Sequence, residues 1–195
     1  MIFFHSYSVA AFKDAIKAGA DIIEFDVWHS RDGKVVVHHD KDFSRMCGSD
    51  SSQIIFETDY DNFPKIIPPK EQSSRCHLYT AEECNKIPLL ETVLQSIPPS
   101  VAIIIEFKQN SAQLVADVRK LISGRRENTF WFSLDEKTNS RLRSSDFELP
   151  TITSIIGMLK TLVQYYSGLL PYSEMDDAVF GITVEEVSML TIPHF

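Results

Sequence analysis

Residues 19–40 constrain this chain more than any other stretch, because two apolar strands, the turn between them and a set of acids follow one another without a break. Gly19-Ala20-Asp21 makes a corner, 21–27 reads as a strand, Asp32-Gly33 as a turn, and Val35-Val36-Val37-His38-His39-Asp40 as a second strand. In a strand, residues two apart share a face, so Glu24 and Asp26 stand side by side while Ile23, Phe25 and Val27 face the other way. Neighbouring carboxylates repel, and burying them is costly unless a cation or hydrogen bonds compensate. A hard divalent metal explains such a pair in an apolar strand better than stability does. A further apolar strand, 101–107, adds Glu106 near its end and Lys108 on the same face. Each acid alone would pass for a solvated strand end; the three together favour the metal.

The rest of the chain alternates between the two periods. Strands are expected at 34–39, 129–134 and 151–155 as well, with further candidates at 1–4 and 180–184. Ser8 caps a helix at 9–18 that Gly19 ends, and Leu114, Val115, Val118, Leu121 and Ile122 recur at helical spacing within 112–122. Strands alternating with helices read as repeated β-α units. Residues 1–195 read as one partial domain, interrupted by a long loop at about 46–86 rich in Ser and Pro. That loop either shapes a substrate pocket or is a disordered insertion. The apolar segment 152–172 holds Lys160 and Gln164, which makes it a poor membrane span. It reads as an interfacial helix touching a membrane from one side, or as a strand followed by an ordinary packed helix.

Composition narrows the class. With 44% hydrophobic residues the chain builds a sizeable core, and a formal charge of −8 lacks the basic footprint of a nucleic-acid binder. Cys47, Cys76 and Cys84 lack a zinc spacing and read as free thiols in a reducing compartment. The apolar start Met1-Ile2-Phe3-Phe4 is too short for a signal peptide. The expected location is intracellular, cytoplasmic or peripheral at a membrane.

The order Gly19-Ala20-Asp21, Glu24-x-Asp26-Val27, Asp32-Gly33, Val36-Val37-x-His39-Asp40, Arg45, Ile87-Pro88-Leu89-Leu90-Glu91 and Ile105-Glu106-Phe107-Lys108 resembles the glycerophosphodiester phosphodiesterase family. Beyond Lys108 the likeness is looser. Phe130-Trp131 and 155–172 are similar to the branch of that family that acts on lysophospholipids and N-acyl ethanolamine phospholipids at membranes.

The resemblance implies an α/β fold, a TIM (β/α)8 barrel of the phosphodiesterase type. It is expected to be incomplete, since such barrels take roughly 250 residues and this chain has 195. It implies metal-dependent hydrolysis of a glycerophosphodiester or lysophospholipid to a glycerol phosphate, or lysophosphatidate, and a free alcohol. Glu24, Asp26 and Glu106 would hold Mg2+ or Ca2+, because an all-oxygen set suits those ions better than zinc. Lys108 would meet the substrate phosphate. Two histidines would serve as general acid and base: His39, which matches the family's second histidine, and His5. Here the chain departs from the family, which opens with His-Arg-Gly and later Glu-Asn-Thr, whereas this one reads Phe4-His5-Ser6-Tyr7-Ser8. Either His5 ends a first strand, or Ser6-Tyr7-Ser8 takes the place of Glu-Asn-Thr and that strand is absent; the arginine is missing both ways. The alternative is therefore a catalytically impaired member acting as a lipid- or metal-binding module. A phosphoinositide-specific phospholipase C, with the same barrel and chemistry, is a third reading.

Overall fold

Helix α1 (Val9–Lys17) begins where the Ser8 hydroxyl accepts a hydrogen bond from the Ala11 N–H. It ends before Gly19, whose φ of 89° is left-handed backbone that glycine adopts at little cost. The chain then enters the sheet. In this computed structural model, which describes residues 8–68, 76–175, 177 and 178, four strands pair in the order β2-β1-β3-β4. They are β1 (Ile22–His29), β2 (Val35–Val37), β3 (Ala102–Phe107) and β4 (Thr129–Phe132). β1, β3 and β4 run parallel, with Asp26 opposite Glu106 and Glu106 opposite Phe132.

Two strands differ from expectation. β2 is shorter than 34–39 and antiparallel to β1, because a tight turn at Asp32-Gly33 leaves no length for the crossover that a parallel partner requires. His39 thus follows a hairpin strand and does not stand at the carboxyl end of a parallel one. The expected strand at 151–155 contracts to bridge residues at 151 and 152, with Thr151 opposite Trp131, since Ser154 already caps the next helix through a hydrogen bond from the Gly157 N–H. The candidate strands at 1–4 and 180–184, and His5 with them, lie outside the described residues.

One face of the sheet carries the main core. Phe25, Val27, Ile105, Phe107 and Trp131 are fully buried there. They pack with side chains of α1, α4 (Leu90–Ser96), α5 (Ala112–Leu121) and α6 (Glu136–Ser145). Each contributes about 1.5–3 kcal/mol relative to exposure. Alternation then sends Glu24, Asp26, Glu106 and Phe132 to the opposite face.

The loop beyond β2 is packed in its described parts. After α2 (Ser44–Cys47) and two short 3-10 turns, Ile55 and Tyr60 join Trp28, Val36, Phe43 and Ile87 in a second core. The Tyr60 hydroxyl donates to the Ile87 carbonyl at 2.9 Å. Helix α3 (Ala81–Asn85) closes the excursion. The last described helix, α7 (Ile155–Tyr166), buries Met158 alone and leaves Ile156 and Val163 more than half exposed.

Candidate active site

The register of two strands assembles the acids. Glu24 and Asp26 are two apart on β1, and the parallel pairing sets Glu106 of β3 beside Asp26. Each of the three presents a carboxylate oxygen, and all lie within 4.8 Å of one another, the one such cluster among the described residues. Lys108, two residues beyond Glu106, reaches back over the same face. Its Nζ lies 2.9 Å from Asp26 Oδ1 and 2.8 Å from Glu106 Oε1. Asp26 is almost fully enclosed and Glu106 is buried.

Crowding shows in the ionisation of these groups. Burial, then the charges of Asp26 and Glu106, push the Glu24 carboxyl above the usual carboxylate range. Its side chain reaches solvent, and screening blunts that shift more than at Glu106. Burial also leads the upward push on Glu106, with Lys108 opposing it. For Lys108 itself burial works to lower the pKa, but Asp26 and Glu106 outweigh it and hold the ammonium above its usual value. Three carboxylates against one ammonium leave the fully ionised cluster two charges negative. A divalent cation would balance that charge, and the oxygen-only donor set fits magnesium or calcium.

The two histidines after β2 take opposite environments. His38 is fully enclosed against Phe43, its backbone N–H donating to the Asp26 carbonyl at 3.1 Å and its Nε2 3.0 Å from the Asp42 carbonyl. Burial lowers its pKa, so the ring stays neutral and Nε2 is the donor. His39 is half exposed, with Nδ1 2.7 Å from Asp40 Oδ1. Asp40 also pairs with Arg45 from α2. Burial would raise the Asp40 carboxyl, but Arg45 and His39 overcome it and keep the group below the ordinary range. An ionised Asp40 accepts a hydrogen bond from Nδ1–H, which sets the ring's tautomer and makes Nε2 the nitrogen suited to exchange a proton.

Of the residues expected from sequence, Glu24, Asp26, Glu106 and Lys108 come together. His39 stands next to the residue hydrogen-bonded to Asp26. Sequence reasoning assigned no role to the Asp40–Arg45 pair, although a basic residue five positions after an acid, on a short helix, was there to be read. It used Phe130 only for the family likeness and missed Phe132; both are half-buried on the same sheet face as the acids. Trp131 between them points into the main core and donates its indole N–H to Thr151 at 3.2 Å.

Comparison with known proteins agrees with this geometry. A profile of the glycerophosphoryl diester phosphodiesterase family matches residues 4–182. Human lysophospholipase D GDPD1 is 27% identical over 190 residues, which cover 96% of this chain and 60% of that protein. Mouse lysophospholipase D GDPD3 is 29% identical over 176 residues, 89% of this chain and 52% of its own length. The chain thus spans about half to three fifths of these curated relatives and stands near their lysophospholipase D branch. Among solved structures, a phosphodiesterase of Oleispira antarctica in complex with sn-glycerol-3-phosphate superposes with a TM-score of 0.65 at 16% identity, over 94% of this chain and 81% of that one. A glycerophosphodiester phosphodiesterase of Thermotoga maritima gives 0.54 at 26% identity, over 87% and 66%. The four-stranded sheet with its helices is part of a TIM barrel of this type.

Proposed function

The chain belongs to the glycerophosphoryl diester phosphodiesterase family, and from that premise we propose that it hydrolyses glycerophosphodiesters or lysophospholipids at the cluster of Glu24, Asp26, Glu106 and Lys108. The observation that carries this reading is a two-charge deficit on a sheet face where three carboxylates converge. Glu24, Asp26 and Glu106 would hold magnesium or calcium. When bound, the cation supplies Lewis-acid stabilisation of negative phosphoryl oxygens. Lys108, already oriented by Asp26 and Glu106, adds a fixed positive charge for the phosphate. His39, held by Asp40, moves the proton: water adds to phosphorus, the bond from phosphorus to the head-group oxygen breaks, and that oxygen leaves protonated as the alcohol. Phe130 and Phe132 offer an apolar wall beside the acids, a surface suited to an acyl chain.

The test is release of choline or ethanolamine from glycerophosphodiester and lysophospholipid substrates with magnesium, calcium or a chelator. Cation-dependent release that disappears in Glu24→Ala and His39→Ala is expected. No release from folded protein, with cation binding intact, would replace hydrolysis by a binding role.

A membrane contact belongs to the same proposal. Ile155, Ile156, Leu159, Val163 and Tyr166 lie exposed along α7, at spacings that put them on one side. Among the described residues no helix is long and apolar enough to cross a membrane, so α7 would lie in the interface. Ile156→Asp with Val163→Asp is expected to abolish co-sedimentation with anionic liposomes while leaving the melting temperature unchanged. Undiminished co-sedimentation refutes the contact.

A further inference from the structure

We propose that Cys76 and Cys84 are a redox pair that closes a reversible disulfide under peroxide. Cys76 opens a 3-10 turn, Cys76–Leu78, and Tyr79 and Thr80 lead from it into α3. Thr80 caps α3, accepting from the Glu83 N–H, while the Glu83 carboxylate accepts from the Thr80 N–H. This tight turn-helix brings the chain back on itself. The Cys84 thiol donates to the Cys76 carbonyl at 3.8 Å, and the two thiols also interact with each other. Cys84 is 2% exposed, whereas Cys76 is partly open to solvent.

The segment is held in place from outside. Glu83 pairs with Lys13 of α1, and the Tyr79 hydroxyl donates to Asp14 of the same helix. The two sulfurs are therefore neighbours because of anchored secondary structure. Cys47, the third cysteine, sits apart in the second core with its thiol donating to the Pro64 carbonyl.

The chemistry divides the roles by access. Cys76, the open thiol, attacks one oxygen of hydrogen peroxide as its thiolate; the O–O bond breaks, water leaves after protonation, and Cys76 becomes a sulfenic acid. The Cys84 sulfur then attacks the Cys76 sulfur, the S–O bond breaks, and a second water carries away the hydroxyl and the Cys84 proton. The balance is two thiols and one peroxide giving one disulfide and two waters. Burial, then the neighbouring Cys76, raises the Cys84 pKa, so this sulfur waits as a thiol and serves as the resolving partner.

Closure would fix residues 76–84 as a ring, on the segment that leads to Ile87, Pro88 and Leu89. Those residues hold β2, since the Val37 N–H donates to the Pro88 carbonyl and Leu89 bridges to Val36. The clamp therefore lies two contacts away from the strand that precedes His39.

Trypsin cuts after Arg75 and Lys86, so both cysteines fall in the single peptide 76–86. After treatment of the folded chain with hydrogen peroxide, mass spectrometry is expected to show this peptide two hydrogens lighter. Both cysteines should resist alkylation until a thiol reductant is added, and the oxidised protein should melt a few degrees higher. The Cys84→Ser variant, checked for folding by circular dichroism, should instead accumulate a dimedone-reactive Cys76, while Cys47→Ser behaves as the unaltered chain. Free alkylation of both cysteines after peroxide overturns the proposal, as does pairing of Cys76 with Cys47 or with a second chain.

Discussion

Replacing Lys108 by methionine removes the only positive charge that the described structure shows bound to both Asp26 and Glu106. Methionine keeps much of the stem's bulk, so the loss is one of charge. Breaking a buried ion pair by deleting one partner costs about 3–5 kcal/mol, because the other partner stays buried and uncompensated. Lys108 keeps 17% side-chain exposure, so water reaches part of the site, and we expect about 2–4 kcal/mol at alkaline pH in chelator. The pH dependence has a definite sign. Glu24 and Glu106 already titrate above the usual range in the folded state, so their contribution to stability is present below the unfolded carboxylate value and is lost as pH rises through the folded one. Removing Lys108 takes away the cation that opposes this rise, so the penalty should grow between about pH 5 and about pH 8. Urea denaturation of both proteins at the two pH values, in chelator and in calcium or magnesium, measures it. The divalent cation should recover most of the loss at the higher pH, since it supplies the missing compensation. An equal penalty at both pH values, or one that neither cation reduces, refutes the account of Lys108 as the cluster's resident counter-charge.

Asp40→Asn should lower kcat by on the order of a hundredfold with little change in KM, because it loosens the hold on His39 Nδ1 without touching the acids; steady-state kinetics on the preferred diester decides. Cation affinity should tighten by about tenfold from pH 6 to pH 8 as the raised carboxyls give up their protons, and calorimetry in two buffers of different ionisation heat should register the released protons. Phe132→Ala should depress lysophospholipid turnover by on the order of tenfold relative to a glycerophosphodiester, and equal losses on both substrates would remove the apolar wall from the argument.

What was legible in the sequence follows from periodicity. Glu24 and Asp26 had to share a face once 21–27 was read as a strand, and Lys108 had to follow Glu106 by the same rule. The pairing of Asp26 with Glu106 was not readable, since register between strands some 80 residues apart is set by packing of Phe25, Ile105 and their neighbours. The direction of β2 was in the sequence, because Asp32-Gly33 leaves room only for a hairpin, yet the regular β-α rhythm on either side obscured it. The loop at 46–86 read as loose because it is rich in serine and proline. Its buried residues Ile55, Tyr60 and Ile66 are too sparse to show a period, and only the folded contacts with Trp28 and Val36 join them into a core.

The acid cluster ties stability to function through a single physical quantity, the charge that two strands bring together. A sheet selected for stability alone would place apolar residues at positions 26 and 106, as it does at 25, 27, 105 and 107 on the other face. The protein instead carries buried like charges and offsets part of their repulsion with Lys108, which leaves a deficit the size of one divalent ion. A cation that fills the deficit must therefore stabilise the fold, by an amount that grows with the logarithm of one plus its concentration over its dissociation constant. On the proposed function, Glu24, Asp26 and Glu106 would hold that cation beside Lys108, where both would meet the phosphate. Any substitution that makes the apo fold more stable by neutralising Glu24 or Glu106 should accordingly weaken both cation binding and turnover, and the two losses should scale together.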